Sequence, residues 1–199
     1  IAQELIKLLE SDDAKIRRKA VECIQKIHPE GIEETLCSLF DDEEVFVRLA
    51  VTEVLGRIQP QIICEEILNK RPIETDATLL RTQVGILREH NEERFIPFYR
   101  EAIAHSDPFV REYVIAALGA LASEECIEIL HSVIEQKSLN DSLHAIRALG
   151  QTAHQGAYDS LLHIVQNPKS SEHLRKQARL SLSQIDPTRA ARDLASIDQ

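Results

Sequence analysis

Apolar and small residues recur along the chain in bursts with helical spacing, and the burst from Asp107 to Ala122, DPFVREYVIAALGALA, is the most complete. Val110, Val114, Ala117, Leu118 and Leu121 follow one another at steps of four, three, one and three, which lays one apolar stripe along a helix. Ile115, Ala116 and Ala120 make a second side apolar. A helix apolar on two sides and rich in Ala and Gly belongs between neighbours on both flanks, its small residues letting axes approach to about 8–10 Å. Asp107 is placed to cap the start, and Pro108 falls at the first helical position, where a missing N–H costs nothing.

Weaker copies of this burst supply the neighbours. Val110-Arg111 is echoed by Ile16-Arg17, Val47-Arg48, Leu80-Arg81 and Leu174-Arg175, with a degenerate copy at Asp141-Ser142; the arginine slots are separated by 31, 33, 30, 31 and 33 residues. Ile24 and Ile27, Leu55-Gly56, Leu118-Gly119, Leu149-Gly150, and Leu182 with Ile185 recur at matching offsets. A near-constant period in this range marks a solenoid. The pattern predicts helices over 2–10, 15–27, 29–40, 43–58, 60–69, 77–89, 92–104, 108–122, 124–136, 140–153, 156–165, 171–184 and 187–196, joined within pairs by short connections that force antiparallel neighbours. Residues 70–76, KRPIETD, make a longer connection, and Pro97 predicts a kink or a shifted start in the helix that contains it.

Asp13-Ala-Lys-Ile16-Arg17 and Asp107-Pro-Phe-Val110-Arg111, each followed by small and apolar helix residues, resemble HEAT repeats of the short variety found in phycobilisome-lyase-like proteins. The resemblance runs over nearly the whole chain. It implies an all-α α-solenoid, a right-handed superhelix of about six antiparallel helix pairs, with first helices convex and second helices lining the concave side. The repeats expected are 12–41, 42–71, 75–106, 107–137, 138–168 and 169–199 in a single array, with 1–10 as the last helix of a preceding repeat and the protein continuing upstream of Ile1. Glu44 replaces the acid in the second repeat, the third has Ala77 there beside Asp76, and the fifth carries Ser138 and Ser142 in place of acid and arginine. The Asp and Arg are read as a cap and an inter-repeat hydrogen-bond ladder and not as catalytic groups.

Composition agrees. Of 199 residues, 43% are hydrophobic and 4% aromatic, which suits an aliphatic helical core, and no alternating β-branched run is bounded by turn pairs. No stretch approaches eighteen apolar residues and no charged-then-apolar leader opens the chain, so neither a membrane span nor a signal peptide is expected in this segment. Cys23, Cys37, Cys64 and Cys126 lie 14, 27 and 62 residues apart without a paired motif, and are expected to be small buried apolar residues. Free thiols point to a reducing compartment, and the expectation is a cytoplasmic protein.

No phosphate-cradling loop, nucleophile elbow or His-Glu-x-x-His occurs. His131 and His163 lie about one repeat apart on successive second helices, each with an acid one turn earlier, Glu128 and Asp159, so four groups could face one divalent metal. HEAT-like hydroxylases use His and Glu ligands, but the His-Glu dipeptides of that family are absent, and Glu89-His90 and Glu172-His173 are reversed. These residues are therefore read as exposed helix pairs, with no metal and no cofactor expected. The lyases of the resembled family attach bilins to proteins, which supplies an enzyme alternative. Nucleic-acid binding is not expected, since 33 acids face 23 bases for a net charge of −10, and the basic runs Lys15-Arg17-Arg18-Lys19 and Arg175-Lys176 with Arg179 sit on first helices.

Aligned second helices place Glu33-Glu34, Glu65-Glu66, Glu92-Glu93, Glu124-Glu125 with Glu128, and Asp159 in comparable positions. Stacked at about 10 Å per repeat they would form an acidic stripe, although acids in a first turn also answer to the helix dipole. The function expected is a non-enzymatic scaffold that binds a protein or basic peptide on its concave face. Its contact residues would be Glu33, Glu34, Glu65, Glu66, Glu93, Glu124, Glu125, Glu128, His131, Asp159 and His163; the alternative is a bilin lyase-like or metal-dependent HEAT-repeat enzyme. Val47, Leu55, Val110, Val114, Leu118, Leu121, Leu149 and Leu182 are expected to be buried, and Phe95, Phe98, Tyr99, Phe109 and Tyr113 to mark the least regular stretch, mainly as core filling.

Overall fold

In the computed structural model residues 2–27, 29, 31–70, 72–136, 138–152 and 154–197 are described. Arg71 of the long connection and Ala153 at an expected helix end lie outside them. The described residues form thirteen α-helices and no strand, in two compact units, one extending to His90 and the other starting at Asn91.

The first unit holds α1 (Ala2–Leu9), α2 (Ala14–Ile27), α3 (Glu33–Ser38), α4 (Val45–Ile58), α5 (Pro60–Asn69) and α6 (Ala77–His90). Helix α4 packs against both α2 and α6, as its two-sided apolar pattern requires, burying Val47, Ala50, Val51, Val54 and Leu55. Helix α5 begins on Pro60 in its first turn. Helix α3 is shorter than expected. Gly31 adopts φ 77, which stops any helix from running through it, and the chain after Ser38 tightens into a 3-10 turn over Leu39–Asp41.

The second unit holds α7 (Ile96–Ala102), α8 (Pro108–Leu121), α9 (Glu124–Gln136), α10 (Leu139–Gly150), α11 (Gln155–Gln166), α12 (Glu172–Ile185) and α13 (Pro187–Ile197). Helices α8, α10 and α12 pack in succession, with α9, α11 and α13 as their following helices. The close approach foreseen from the small residues is met at two points. A Cβ on Gly119 would lie 2.8 Å from that of Ala148, and one on Gly150 would lie 2.6 Å from Ser181, so neither position has room for a side chain. Pro97 shifts the helix start: a 3-10 turn over Glu93–Phe95 precedes α7, which leaves Pro97 in the first turn and spares a backbone hydrogen bond.

Seven of the eight expected core residues are buried, and Leu121 at the end of α8 is half-exposed. Beyond it Ala122 takes the left-handed conformation, φ 52, to close the helix, with its N–H donating to the Leu118 carbonyl. Phe95, Phe98 and Tyr99 are core filling, as expected, at 0%, 1% and 0% exposure. Phe109 and Tyr113 are exposed on α8. The cysteines are mixed: Cys64 and Cys126 are buried, Cys37 is half-exposed, and Cys23 is exposed, against expectation.

The Asp–Arg motif forms a ladder. Asp107 accepts from the N–H groups of Phe109 and Val110, capping α8. Arg17 reaches forward to Asp42 with two hydrogen bonds, 2.6 and 2.8 Å, and back to the carbonyls of Ser11 and Asp12. Arg48 repeats the arrangement with Glu74 and with the carbonyls of Asp42 and Glu43. Arg111 repeats it with Asp141 and with the carbonyls of His105 and Ser106. The receiving acids are Asp42, Glu74 and Asp141, not the cap positions on which the repeats align. Burial raises the carboxyls of Asp42 and Glu74, but the hydrogen bonds and charge of their arginines, with backbone N–H donors, outweigh it and hold both below the ordinary carboxylate range. The Asp42 hydrogen bond in turn raises Arg17.

Candidate functional site

Helices α9 and α11 pack side by side in the second unit. The apolar residues of α9 that face inward, Cys126, Ile127, Leu130, Val133 and Ile134, fix its rotation and turn His131 toward α11. His163, one repeat on, meets it with ring centroids 5.7 Å apart, tilted at 45°. The pair lines an open cleft of about 370 Å³, closed off by Glu135, Asn167, Lys169, Ser170 and Ser171 with Ile134, Ile164 and Leu174 beneath. His131 Nδ1 stands 3.9 Å from Glu135 Oε1. The cleft thus offers two imidazoles, a lysine, an amide and hydroxyls over an apolar base, a donor-rich surface for a ligand with acceptor groups.

The four groups weighed for metal do not converge. Glu128 is exposed, and Asp159 is taken by the Arg189 guanidinium at 3.1 Å and by Gln155 at 2.8 Å. The carboxylate next to His131 is Glu135, one turn later on α9 and absent from the sequence reading. Among the described residues no group of three or more His, Cys, Asp or Glu is placed to hold a metal ion.

The acids of the second helices have different surroundings. Glu34 and Glu65 are exposed; Glu33 and Glu66 are half-exposed, and the Cys37 thiol is pushed up by burial and then by the charges of Glu66 and Glu33. In the second unit Glu93, Glu124 and Glu128 are exposed, while Glu125 is bonded by Arg100 from α7 at 2.7 Å. Arg100 and Arg189 each come from a neighbouring second helix, so the protein answers part of its own negative charge. Its place in the first turn of α9 and the Arg100 pair account for Glu125, and the Arg189 pair accounts for Asp159, without a partner.

Sequence reasoning missed one further cluster. The buried Tyr158 hydroxyl on α11 donates to Asp193 on α13 at 3.0 Å, with Arg189 lying 3.8 Å over the ring. Burial, then the hydrogen bond and charge of Asp193, push the phenol up to about 12. The spacing Arg189–Asp193 was a readable i,i+4 pair; Tyr158 gave no signal.

Residues 2–69 match the HEAT repeats family, and residues 110–136, which span most of α8 and all of α9, match the PBS lyase HEAT-like repeat. No curated protein sequence matches the chain. Among solved structures it is similar to the complex of CpcE and CpcF of phycocyanin lyase from Nostoc sp. PCC7120, at 17% identity over 98% of this chain and 82% of that one, TM-score 0.47. It is also similar to human deoxyhypusine hydroxylase in complex with glycerol, at 20% identity over 98% of this chain and 77% of that one, TM-score 0.45. An engineered protein matches at 16% identity over 99% and 85%, TM-score 0.39. The expectation of a non-enzymatic chain is corrected: residues 110–136 match a repeat described from a lyase, so the lack of a familiar motif no longer supports excluding an enzyme. The absence of a familiar catalytic motif was the basis of that expectation, and a repeat surface can assemble its polar groups from different helices without one. Among the described residues no helix is long and apolar enough to cross a membrane. The chain is thus an all-α protein in which residues 2–69 match HEAT repeats and residues 110–136 match the PBS lyase HEAT-like repeat.

Proposed function

We propose that the chain is the protein-engaging HEAT array of a lyase-type modifying enzyme, either that enzyme or one of its subunits, and that the cleft between α9 and α11 holds the group being handled. The observation that carries this reading is the position of His131: it lies in the repeat of lyase type and faces His163 across a cleft of about 370 Å³. That volume falls in the range of about 300–1,000 Å³ typical of small-molecule sites. Two imidazoles and Lys169 suit the carboxylate arms and ring N–H groups of an open-chain tetrapyrrole, because each imidazole donates and accepts when neutral and donates twice when protonated. Within the second unit the exposed acids Glu93, Glu124 and Glu128 are the contacts for a basic stretch of the protein partner, and Glu125 and Asp159 would have to exchange their internal arginines to join them; in the first unit Glu33, Glu34, Glu65 and Glu66 are contacts of the same kind.

The test is a titration of biliverdin into the purified chain. A saturable, red-shifted absorbance band is expected, abolished in the His131→Ala, His163→Ala double variant. An unchanged spectrum at micromolar protein and bilin would sink the lyase reading.

A further inference from the structure

The basic run of α2 is split by the helix. Arg17 turns inward to Asp42, whereas Lys15, Arg18, Lys19 and Glu22, spaced i, i+3, i+4 and i+7, share one outer stripe. Phe46, in the first turn of α4, stands beside that stripe, and together these five residues line an open cleft of about 470 Å³. The cleft lies wholly in the first unit. Arg18 bonds Glu22 at 3.0 Å and Lys19 bonds the same carboxylate at 2.6 Å, so two cations share one anion, and Lys15 adds a third positive charge. Ile16 and Val45, next in the chain to Lys15 and Phe46, are exposed as well.

A solvated stripe of charges needs no aromatic wall and no concavity. Here three cations rim a hollow whose side is a phenyl ring, on a chain that is otherwise strongly acidic, with 33 acids against 23 bases. From that charge and shape we infer that this cleft is a docking site for an acidic segment of a protein partner. An apolar side chain of the segment, aromatic or branched, packs on Phe46, while its carboxylates take the cations that now share Glu22. A single-stranded nucleic acid, whose bases stack on aromatic rings, is the rival polyanion, and an oligonucleotide that bound with the same dependence on Lys15, Lys19 and Phe46 would overturn the peptide assignment. The chain's overall negative charge does not prevent binding at physiological salt, where charges more than about 8 Å away are largely screened. This site goes beyond the proposed lyase-type function and uses none of its residues.

The experiment is fluorescence anisotropy with a fluorescein-labelled synthetic peptide, EDEFEDLE, at physiological salt. The expected result is saturable binding that weakens roughly tenfold or more in the Lys15→Glu, Lys19→Glu double variant and in Phe46→Ala. A peptide with its phenylalanine changed to alanine is expected to bind several-fold more weakly. Lys15 and Lys19 are exposed, so their variant should keep the parent's thermal melt and isolates binding from folding. Absence of binding, or binding equal in all variants, would overturn the assignment. So would binding of phosphatidylserine vesicles with the same dependence on Lys15 and Lys19, which would make this face a membrane contact instead.

Discussion

The two compact units use the same repeat but tie their first helices differently. Up to His90, α2 and α4 each send an arginine into the next connection, Arg17 to Asp42 and Arg48 to Glu74, so successive repeats are joined by buried charged rungs. Beyond Asn91, Arg111 reaches Asp141 in the same way, but the next arginine slot is Ser142. Its short hydroxyl turns back to the carbonyls of Ile134 and Ser138 and has no reach toward the following connection. There α10 and α12 are joined by contact instead, Gly150 against Ser181, whose hydroxyl donates to the Ile146 carbonyl at 3.2 Å. A buried rung is electrostatic and depends on pH. A glycine contact is steric and does not.

The comparison is most sharply tested at α8, where ladder and apolar core coincide. Val114 is fully buried, and Val114→Asp places an unpaired carboxylate among aliphatic side chains at a cost of roughly 4 kcal/mol or more, enough to unfold the second unit. Circular dichroism should show a large loss of helix; an unchanged melt would break the assigned core.

A smaller effect is expected at the rungs. Arg48→Met leaves Glu74 buried without its partner and should destabilise the first unit by about 3 kcal/mol, seen as faster hydrogen exchange before His90. The same rungs set a pH dependence. The folded-state carboxyls of Asp42 and Glu74 lie below their ordinary values, so the unfolded chain binds more protons in the acid range. Their stabilisation is complete above the ordinary carboxylate pKa of about 4 and is lost as pH falls below it. In Arg48→Met the acid-induced loss should shrink; an identical loss in variant and parent would remove the rungs as its cause.

Next comes the steric tie. Gly150→Ala brings a methyl group to 2.6 Å from Ser181 and should cost about 2 kcal/mol with no change in acid sensitivity, and Ser181→Gly in the same chain should recover part of the loss. A neutral Gly150→Ala would show that α10 and α12 have slack. The smallest effect is at Ala122, where φ is 52: Ala122→Gly relieves a left-handed alanine and should raise stability by about 0.5–1 kcal/mol in thermal denaturation.

Much of this was readable in advance because the period of a repeat is a local property. The stripe in 107–122 located α8 within one residue, and the recurring arginines located the other first helices. Gly31 was a weak signal, since one glycine after a proline does not announce where a helix will restart, and α3 came out short for that reason. Of the candidate site, His131 and His163 were legible from their repeat spacing. Glu135 was passed over because the acid one turn before each histidine drew attention, and a helix offers a neighbour on either side.

The sequence by itself determined that the chain is helical, that the helices come in pairs, that Asp107 caps, and that small residues mark where helices touch, because each follows from spacing within a turn or from backbone chemistry. The tertiary structure decided what spacing does not carry. It set which acid receives each arginine, with Asp42 and Glu74 chosen over their neighbours by the reach of a guanidinium across two helices. It drew Glu125 and Asp159 to Arg100 and Arg189 from neighbouring helices, and it hid Tyr158 beneath Arg189. These pairings join residues about 25 to 35 positions apart, where the choice among several equivalent charges rests on the rotation and stagger of packed helices.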